Sequence, residues 1–310
     1  MGIKRKVKLS SNAIETSLED AFNEFISVKE AENKSPSTIR NYKQSYSFFK
    51  EYYKLDAEKS AKAVTQAMIY QWINKMKNDD ISSASINHYL RDVRAFFYYC
   101  MEKEYMESFK IKETEAQEEM LKFFKDEDLE KLLEKPRRKD DFVEWRTWMV
   151  VNWICGTGNR AGTVCNVKLK DINFHNKQIA LSHTKNKKIQ TVPLSPSLET
   201  ALKEYIKMWR SDANPDDFLF PSIGDETLTY NALRLAFTRY CTEREVEQHN
   251  LHGLRHNFAK NYIQQGGSEF KLMQILGHSS ISMTRRYVKL FSKDLAEDYE
   301  KFSLLDNMKK

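Results

Sequence analysis

The first hundred or so residues space their apolar positions as helices do, with no strand-like alternation. Leu18, Phe22, Phe25 and Ile26 form one stripe, and Ser17 with Asp20 three positions on makes a capping pattern before it. Ser35-Pro36 offers a cap and a first-turn proline for a second helix, which carries Ile39, Tyr42, Tyr46 and Phe49. Ile69, Trp72, Ile73 and Met76 predict a third. A fourth begins near Ser83 and carries Ile86, Leu90, Val93, Phe96 and Phe97. Four amphipathic helices with short connections predict a compact bundle.

Residues 112–120 (KETEAQEEM) are polar and lack periodicity, and read as a linker. Beyond them Leu129, Leu132 and Leu133 open a second helical region. A long helix from about Asp141 to Cys155 is expected to stop at Gly156-Thr157-Gly158. The β signal is confined to residues 172–194. There Ile179-Ala180-Leu181 and IQTVPL flank HTKNKK, which predicts a hairpin with a basic tip. Helices resume near Leu198, broken by Gly266-Gly267 and Gly277. The expected fold class is mainly α with a small β-hairpin or sheet. Its expected divisions are a basic extension over 1–16, a helical bundle over 17–111, a linker over 112–122, a second domain over 123–289 and a tail helix over 290–310.

Composition narrows the class without naming a function. The chain has 310 residues, 41% hydrophobic and 30% charged, enough for two soluble domains. Its longest apolar run, Trp148 to Cys155, is too short to span a bilayer. No secretory leader pattern is visible, and Cys100, Cys155, Cys165 and Cys241 form no CxxC pair, so a cytoplasmic protein with reduced thiols is expected. A net charge of +6 is compatible with a polyanionic partner but does not require one. Lys4, Arg5, Lys6 and Lys8 make a basic start; Glu113, Glu115, Glu118 and Glu119 make an acidic stretch that reads as solvated surface.

Five places in the second half carry polar residues that core patterning does not explain. They are Arg160 after a TGN turn, Lys185 in the hairpin tip, His252 to Arg255 (HGLR), Gly277-His278, and Tyr287. Singly each reads as ordinary surface or packing. His252 and His256 share a helix face at zinc-binding spacing, but Gly253 stands where HExxH has its glutamate and no third ligand is spaced to join them. His256 is therefore read as a partly buried helix residue, and a metal hydrolase is the weakest reading.

In order, the segments GTGNRAGTVCNVKLKDI, TKNKKIQTVPL, HGLRHNFAKNYI and LGHSSISMTRRYV resemble the tyrosine recombinase family, phage integrases and Xer-like enzymes. The tyrosine stands nine residues after His278, the family's spacing. SPSTIRNYKQSYSFF and SSASINHYLRDVRAFFYY resemble the two best-marked helices of the family's DNA-gripping N-terminal domain. The resemblance covers nearly the whole chain. It implies a helical core-binding domain and a catalytic domain that together clamp DNA, and catalysis by Arg160, Lys185, His252, Arg255, His278 and Tyr287.

The implied reaction explains these residue types. A phosphodiester repels nucleophiles, so its developing charge must meet fixed cations and donors. Arg160 and Arg255 would present planar forks to the non-bridging oxygens, with His252 and His278 adding donors. A tyrosine has an ordinary pKa of about 10, so Tyr287 needs positive surroundings and a base, for which His252 is the candidate. Lys185 suits protonation of the departing 5′-oxygen. The bond is conserved as a 3′-phosphotyrosine ester, so no cofactor, ATP or metal is implied. Two positions depart from the family: Thr163 replaces a common acidic residue, and Asn159 replaces a common leucine, from which only a packing adjustment is expected.

The implied partner is double-stranded DNA with a partly symmetric site. Ser35, Ser37, Thr38, Arg40, Asn41 and Lys43 cluster near one helix start as candidate phosphate contacts. Ser85, His88, Arg91 and Arg94 are candidates for an exposed, base-reading face of the fourth helix. The family assembles four protomers on two sites. The tail, with Leu295, Tyr299, Phe302 and Leu305 at helical spacing, is expected to dock on a neighbouring protomer. A first helix starting by residue 17 leaves no room for an arm-binding domain, which favours a compact enzyme of a bacterium, phage or mobile element, acting on DNA in the nucleoid. The competing readings are a type IB topoisomerase and a DNA-binding protein without catalysis.

Overall fold

The computed structural model describes residues 16–56, 58–115, 121–137, 141–181, 190–291 and 308. The chain divides into two compact units, Met1–Glu119 and Met120–Lys310.

The first unit is built from α1 (Leu18–Ala31), α2 (Pro36–Tyr53), α3 (Gln66–Asn78) and α4 (Ser83–Glu102). Each starts at a hydroxyl side chain that accepts from a backbone N–H the helix leaves unpaired: Ser17 from Asp20, Ser35 from Thr38, Thr65 from Met68 and Ser82 from Ser85. Such caps contribute about 1 kcal/mol each. The predicted stripes face inward. Phe25, Phe49, Trp72, Phe96 and Phe97 are wholly enclosed, and Phe22 stacks on Tyr46 at a centroid distance of 3.8 Å. One polar pair lies among them, with Ser45 Oγ donating to Asp92 Oδ2 at 2.9 Å. The polar stretch after α4 is not free at its start. Asn87 on α4 exchanges two hydrogen bonds of 2.8 Å with the backbone of Thr114, and Glu113 pairs with Arg94.

The second unit contains α5 (Asp126–Leu133), α6 (Phe142–Thr157), α7 (Ala161–Val164), β1 (Ile172–Asn173), β2 (Gln178–Leu181), β3 (Gln190–Pro193), α8 (Pro196–Trp209), α9 (Tyr230–Glu243), α10 (Leu251–Gln264), α11 (Glu269–Leu276) and α12 (Ile281–Phe291). Helix α6 is its axis, packed by α5, α8, α9 and α10. Its Trp145, Met149, Val150, Val151, Trp153 and Ile154 are all buried, so it is apolar nearly all round. It runs two residues past the predicted end. Gly156 stays helical, and Gly158, at φ +66°, makes the stop.

The hairpin of β2 and β3 gains a third antiparallel strand, giving the order β1-β2-β3. Ile179 lies opposite both Ile172 and Val192, so one face of this small sheet is apolar and buried. Pro193 is tolerated because β3 is an edge strand. Among the described residues no helix is long and apolar enough to cross a membrane. Tail residues Leu295, Tyr299, Phe302 and Leu305, and hairpin residue Lys185, lie outside the described residues.

Candidate active site

Four elements of the second unit converge on a cavity of about 160 Å³. It is lined by Arg160, His252, Arg255, His256, His278 and Tyr287, with Leu121, Met283 and Arg286 completing the wall.

The turn between α6 and α7 places Arg160. Thr157 Oγ1 donates back to Trp153 O at 2.6 Å, and the Gly158 N–H to Ile154 O at 2.8 Å, which closes the helix. Only glycine fits next: a Cβ at Gly158 would stand 2.5 Å from Phe258 and 2.7 Å from Leu276. Arg160 follows in extended conformation and points its guanidinium toward the C-terminal end of α11.

Helix α10 brings His252, Arg255 and His256 to one face, since positions three and four apart are neighbours on a helix. Asn250 caps it by accepting from the His252 N–H at 3.0 Å. Asn257 exchanges two 2.8 Å hydrogen bonds with the backbone of Phe124, which pins the start of the unit against this helix. Arg255 is 2% exposed and makes three hydrogen bonds with its five N–H donors. It donates to Gly158 O at 2.8 Å, to Leu276 O at 2.9 Å and to His278 Nε2 at 2.9 Å.

The last carbonyls of α11 thus act as a cradle. They carry the negative end of the helix dipole and have no partner within the helix. Arg255 reaches Leu276 O, and Arg160 approaches Leu276 O and Gly277 O at 3.5 Å. Gln190 at the start of β3 donates to Ile275 O and to Gln274 O. Gly277 ends α11 at φ +60°, with its missing Cβ position 2.7 Å from Gln190. Among the described residues no carboxylate pairs with Arg160 or Arg255, so both keep their charge for an incoming anion.

His278 follows directly. A guanidinium can only donate, so His278 Nε2 accepts from Arg255 and its proton lies on Nδ1, donated to the fully buried Thr284 Oγ1 at 2.8 Å. The ring lies parallel to Tyr287 at a centroid distance of 6.5 Å. Tyr287 on α12 is 4% exposed, and its hydroxyl bonds to His256 Nδ1 at 2.8 Å. His252, the candidate base, packs edge-on against His256 at 4.5 Å between centroids, and the hydroxyl meets His256 instead.

The electrostatics follow from burial amid cations. Burial, then Arg255, Arg160 and His252, lowers the pKa of His278 to about 3. Burial, then His252, Arg255 and Arg286, lowers that of His256 to about 4. His252 is exposed on its outer side; the enclosure of its inner side, then Arg255 and Arg160, bring it to about 4. All three imidazoles are neutral at pH 7. Burial raises the Tyr287 phenol above its ordinary value, while Arg255, Arg286 and Arg160 pull the other way. Burial and the neighbouring Arg160 bring Arg255 down to about 9. An anion entering this cavity would relieve the mutual repulsion of the cations. The arrangement suits attack by a phenol on a phosphodiester.

A larger cleft, about 450 Å³, lies elsewhere on the unit between Glu134, Lys135, Arg137, Glu144, Glu243 and Arg244. Its charges neutralise one another, as in the 2.7 Å pair of Arg244 with Glu144, and it has no nucleophile. The smaller cavity is the candidate for the chemistry.

Three contributors were given no role in the site from the sequence: His256, Thr284 and Gln190. Only His256 left a signal there, through its spacing from His252. The departures from the family pattern also take shape here. Thr163 is buried, with its N–H donating to Arg160 O at 2.8 Å. Asn159 is 2% exposed, and its Nδ2 meets no hydrogen-bond partner among the described residues. Among the described residues no group of three or more metal-ligating side chains is placed to hold an ion.

In the first unit Ser35 Oγ is committed as the α2 cap and lies within hydrogen-bond distance of the Ser37 and Thr38 hydroxyls. Arg40 and Lys43 are exposed on the same helix, with Asn41 partly covered. On α4, Ser85 and Arg91 are exposed, and Arg91 lies 3.2 Å from His88 Nδ1. Arg94 is paired with Glu113 at 2.8 Å.

The chain matches two family descriptions: "Phage integrase family" over residues 122–293 and "Phage integrase, N-terminal SAM-like domain" over residues 20–104. It therefore belongs to the phage integrase family, the tyrosine recombinases, enzymes that break and rejoin DNA. Tyrosine recombinase XerA of Pyrococcus furiosus is 27% identical over 293 residues, covering 93% of this chain and 96% of that protein. Tyrosine recombinase XerC of Oceanobacillus iheyensis is 24% identical, covering 91% and 94%. The fold is similar to that of the Tn1549 transposon integrase in complex with circular intermediate DNA, with TM-score 0.70, 19% identity and coverage of 95% and 98%. It is also similar to a lambda integrase dimer bound to a core site, with TM-score 0.68, 15% identity and coverage of 88% and 95%.

Proposed function

We propose that this recombinase acts on a partly symmetric double-stranded DNA site, cutting one strand through a 3′-phosphotyrosine link to Tyr287 and passing it to a second site through a Holliday junction. Arg160 and Arg255 bind the non-bridging oxygens of the scissile phosphate, His252 supplies a further donor, and His278, held between Arg255 and Thr284, keeps the Arg255 guanidinium in place. Lys185 protonates the departing 5′-oxygen. The observation that carries the reading is Tyr287 Oη in one cavity with two arginines that no carboxylate among the described residues neutralises.

Four protomers act on two sites, in line with a solved lambda integrase tetramer bound to a Holliday junction, and the tail of each docks on a neighbour. The bundle contributes phosphate contacts from Ser37, Thr38, Arg40, Asn41 and Lys43, with Ser35 presenting the helix start. It reads bases from Ser85, His88 and Arg91, and from Arg94 once Glu113 releases it. The work is done in the cytoplasm of a bacterium or for a mobile element.

The test is to mix wild-type and Tyr287→Phe protein with fragmented source DNA without added metal, and to sequence DNA that stays attached in denaturant. Wild-type adducts at one short symmetric site support the proposal. Scattered adducts favour topoisomerase action, and tight native binding with no adduct favours a non-catalytic binder.

A further inference from the structure

A proton must leave Tyr287 as its oxygen bonds to phosphorus, and the groups around it differ in their fitness to take it. The guanidiniums of Arg160, Arg255 and Arg286 have no acceptor. His278 has one ring nitrogen accepting from Arg255 and the other donating to Thr284. His252 stands edge-on to His256 at the exposed end of the row, while the phenol bonds past it. His256 Nδ1 alone among the described side chains holds the hydroxyl, at 2.8 Å, with the imidazole 8% exposed and Phe123 on its other flank.

We propose that His256 is a catalytic base of the reaction, taking the Tyr287 proton during cleavage and returning it during rejoining. The proposal rests on Tyr287 being the nucleophile. In cleavage the Tyr287 O–H bond breaks and its proton moves to His256 Nδ1. The tyrosine oxygen bonds to phosphorus, and the bond from phosphorus to the 5′-oxygen breaks. That oxygen takes its proton from a separate acid, so the phosphodiester keeps one negative charge and His256 becomes an imidazolium. In rejoining, a 5′-hydroxyl attacks phosphorus and gives its proton to that acid's conjugate base. The tyrosine oxygen leaves with the proton stored on His256. Atoms and charge balance around the cycle.

The surroundings fit both halves. In the free protein His256 is neutral at pH 7, so its lone pair is open to the phenol. Transfer is strongly uphill at that stage, because the phenol is a much weaker acid than the imidazolium. Tyr287 therefore stays protonated until bonding to phosphorus makes its oxygen acidic. The phosphate's charge, arriving beside Arg160 and Arg255, then offsets the cations that disfavour an imidazolium.

The test measures single-turnover formation of the covalent DNA adduct by full-length protein, on a duplex carrying the site recovered by adduct mapping. Wild type is compared with His256→Ala, His256→Gln and Tyr287→Phe, each checked for folding and native DNA binding. A general base typically contributes about 10²-fold or more, so His256→Ala should be slowed by that order. Added imidazole should restore much of the rate, increasingly so for more basic imidazoles, and should not rescue Tyr287→Phe. Glutamine can hold the hydroxyl but cannot carry a proton, so His256→Gln should be as slow as the alanine variant.

Wild-type rates in either variant overturn the proposal. So does a slow His256→Ala that ignores imidazole while glutamine restores the rate, which makes His256 a positioning residue. If wild type itself forms no adduct, the reading of Tyr287 fails first.

Discussion

The two units hold their arginines and lysines in different ways. In the first unit Lys50 pairs with Glu19 at 2.6 Å and Arg94 with Glu113 at 2.8 Å, both partly open to solvent. Such pairs contribute little stability and exchange readily. In the second unit Arg160 and Arg255 rest against backbone carbonyls at the end of α11. A carbonyl orients a guanidinium without cancelling its charge. The bundle's cations are thus suited to reversible contact with phosphates, whereas the cavity's are held fixed, as the proposed chemistry at a phosphate would need. Preorganisation of this kind is what electrostatic catalysis requires.

The largest way to break this comparison is Arg255→Lys. Lysine keeps the charge but cannot bond Gly158 O, Leu276 O and His278 Nε2 together, so covalent adduct formation should fall by about 10²-fold or more. A near-normal single-turnover rate would show that charge alone suffices.

The second test is pH. His256 and His278 titrate at about 4 and about 3 in the folded state, against an ordinary value near 6.5. Between those values the unfolded chain binds more protons than the folded one, so stability falls as pH drops below about 6.5 toward 4. Melting temperature should decline over that window, and the decline should flatten in the double variant His256→Gln, His278→Gln. An unchanged slope would mean these histidines are not held neutral.

Third, Asn159→Leu removes a buried amide, next to Arg160 in the chain, whose Nδ2 has no partner among the described residues. Leaving such a group unsatisfied costs about 1–3 kcal/mol, so the variant should melt a few degrees higher. A lower melting temperature would mean the amide has a role that leucine cannot fill.

The smallest expected effect is Glu113→Gln, which frees Arg94. DNA binding should tighten, and the slope of log affinity against log salt should steepen by about one phosphate contact. No change in slope would place Arg94 off the DNA.

Much of the fold was legible in the chain because caps and stripes are local. Ser17 and Ser35 mark helix starts by their own chemistry, and Phe22, Phe49 and Trp72 mark buried faces by spacing. Strand β1 was not legible, since two residues make no period and are held only by pairing with β2. The end of α6 was misplaced because two glycines stood close together, and only backbone geometry distinguishes the helical Gly156 from the left-handed Gly158.

For the site, the sequence by itself determined which residue types are present and their order, because spacing along one helix brings His252, Arg255 and His256 to one face. Which partner each of them meets was decided by the tertiary structure. His256 and Tyr287 are 31 residues apart on different helices, and Gln190 meets α11 across 85. The proton positions on His278, the neutrality of the imidazoles and the bond to the Tyr287 hydroxyl arise from burial and from charges on α6, α7, α10, α11 and α12 packed together. A hydrogen bond and a pKa are properties of surroundings, and distant segments of the chain supply those surroundings only once it has folded.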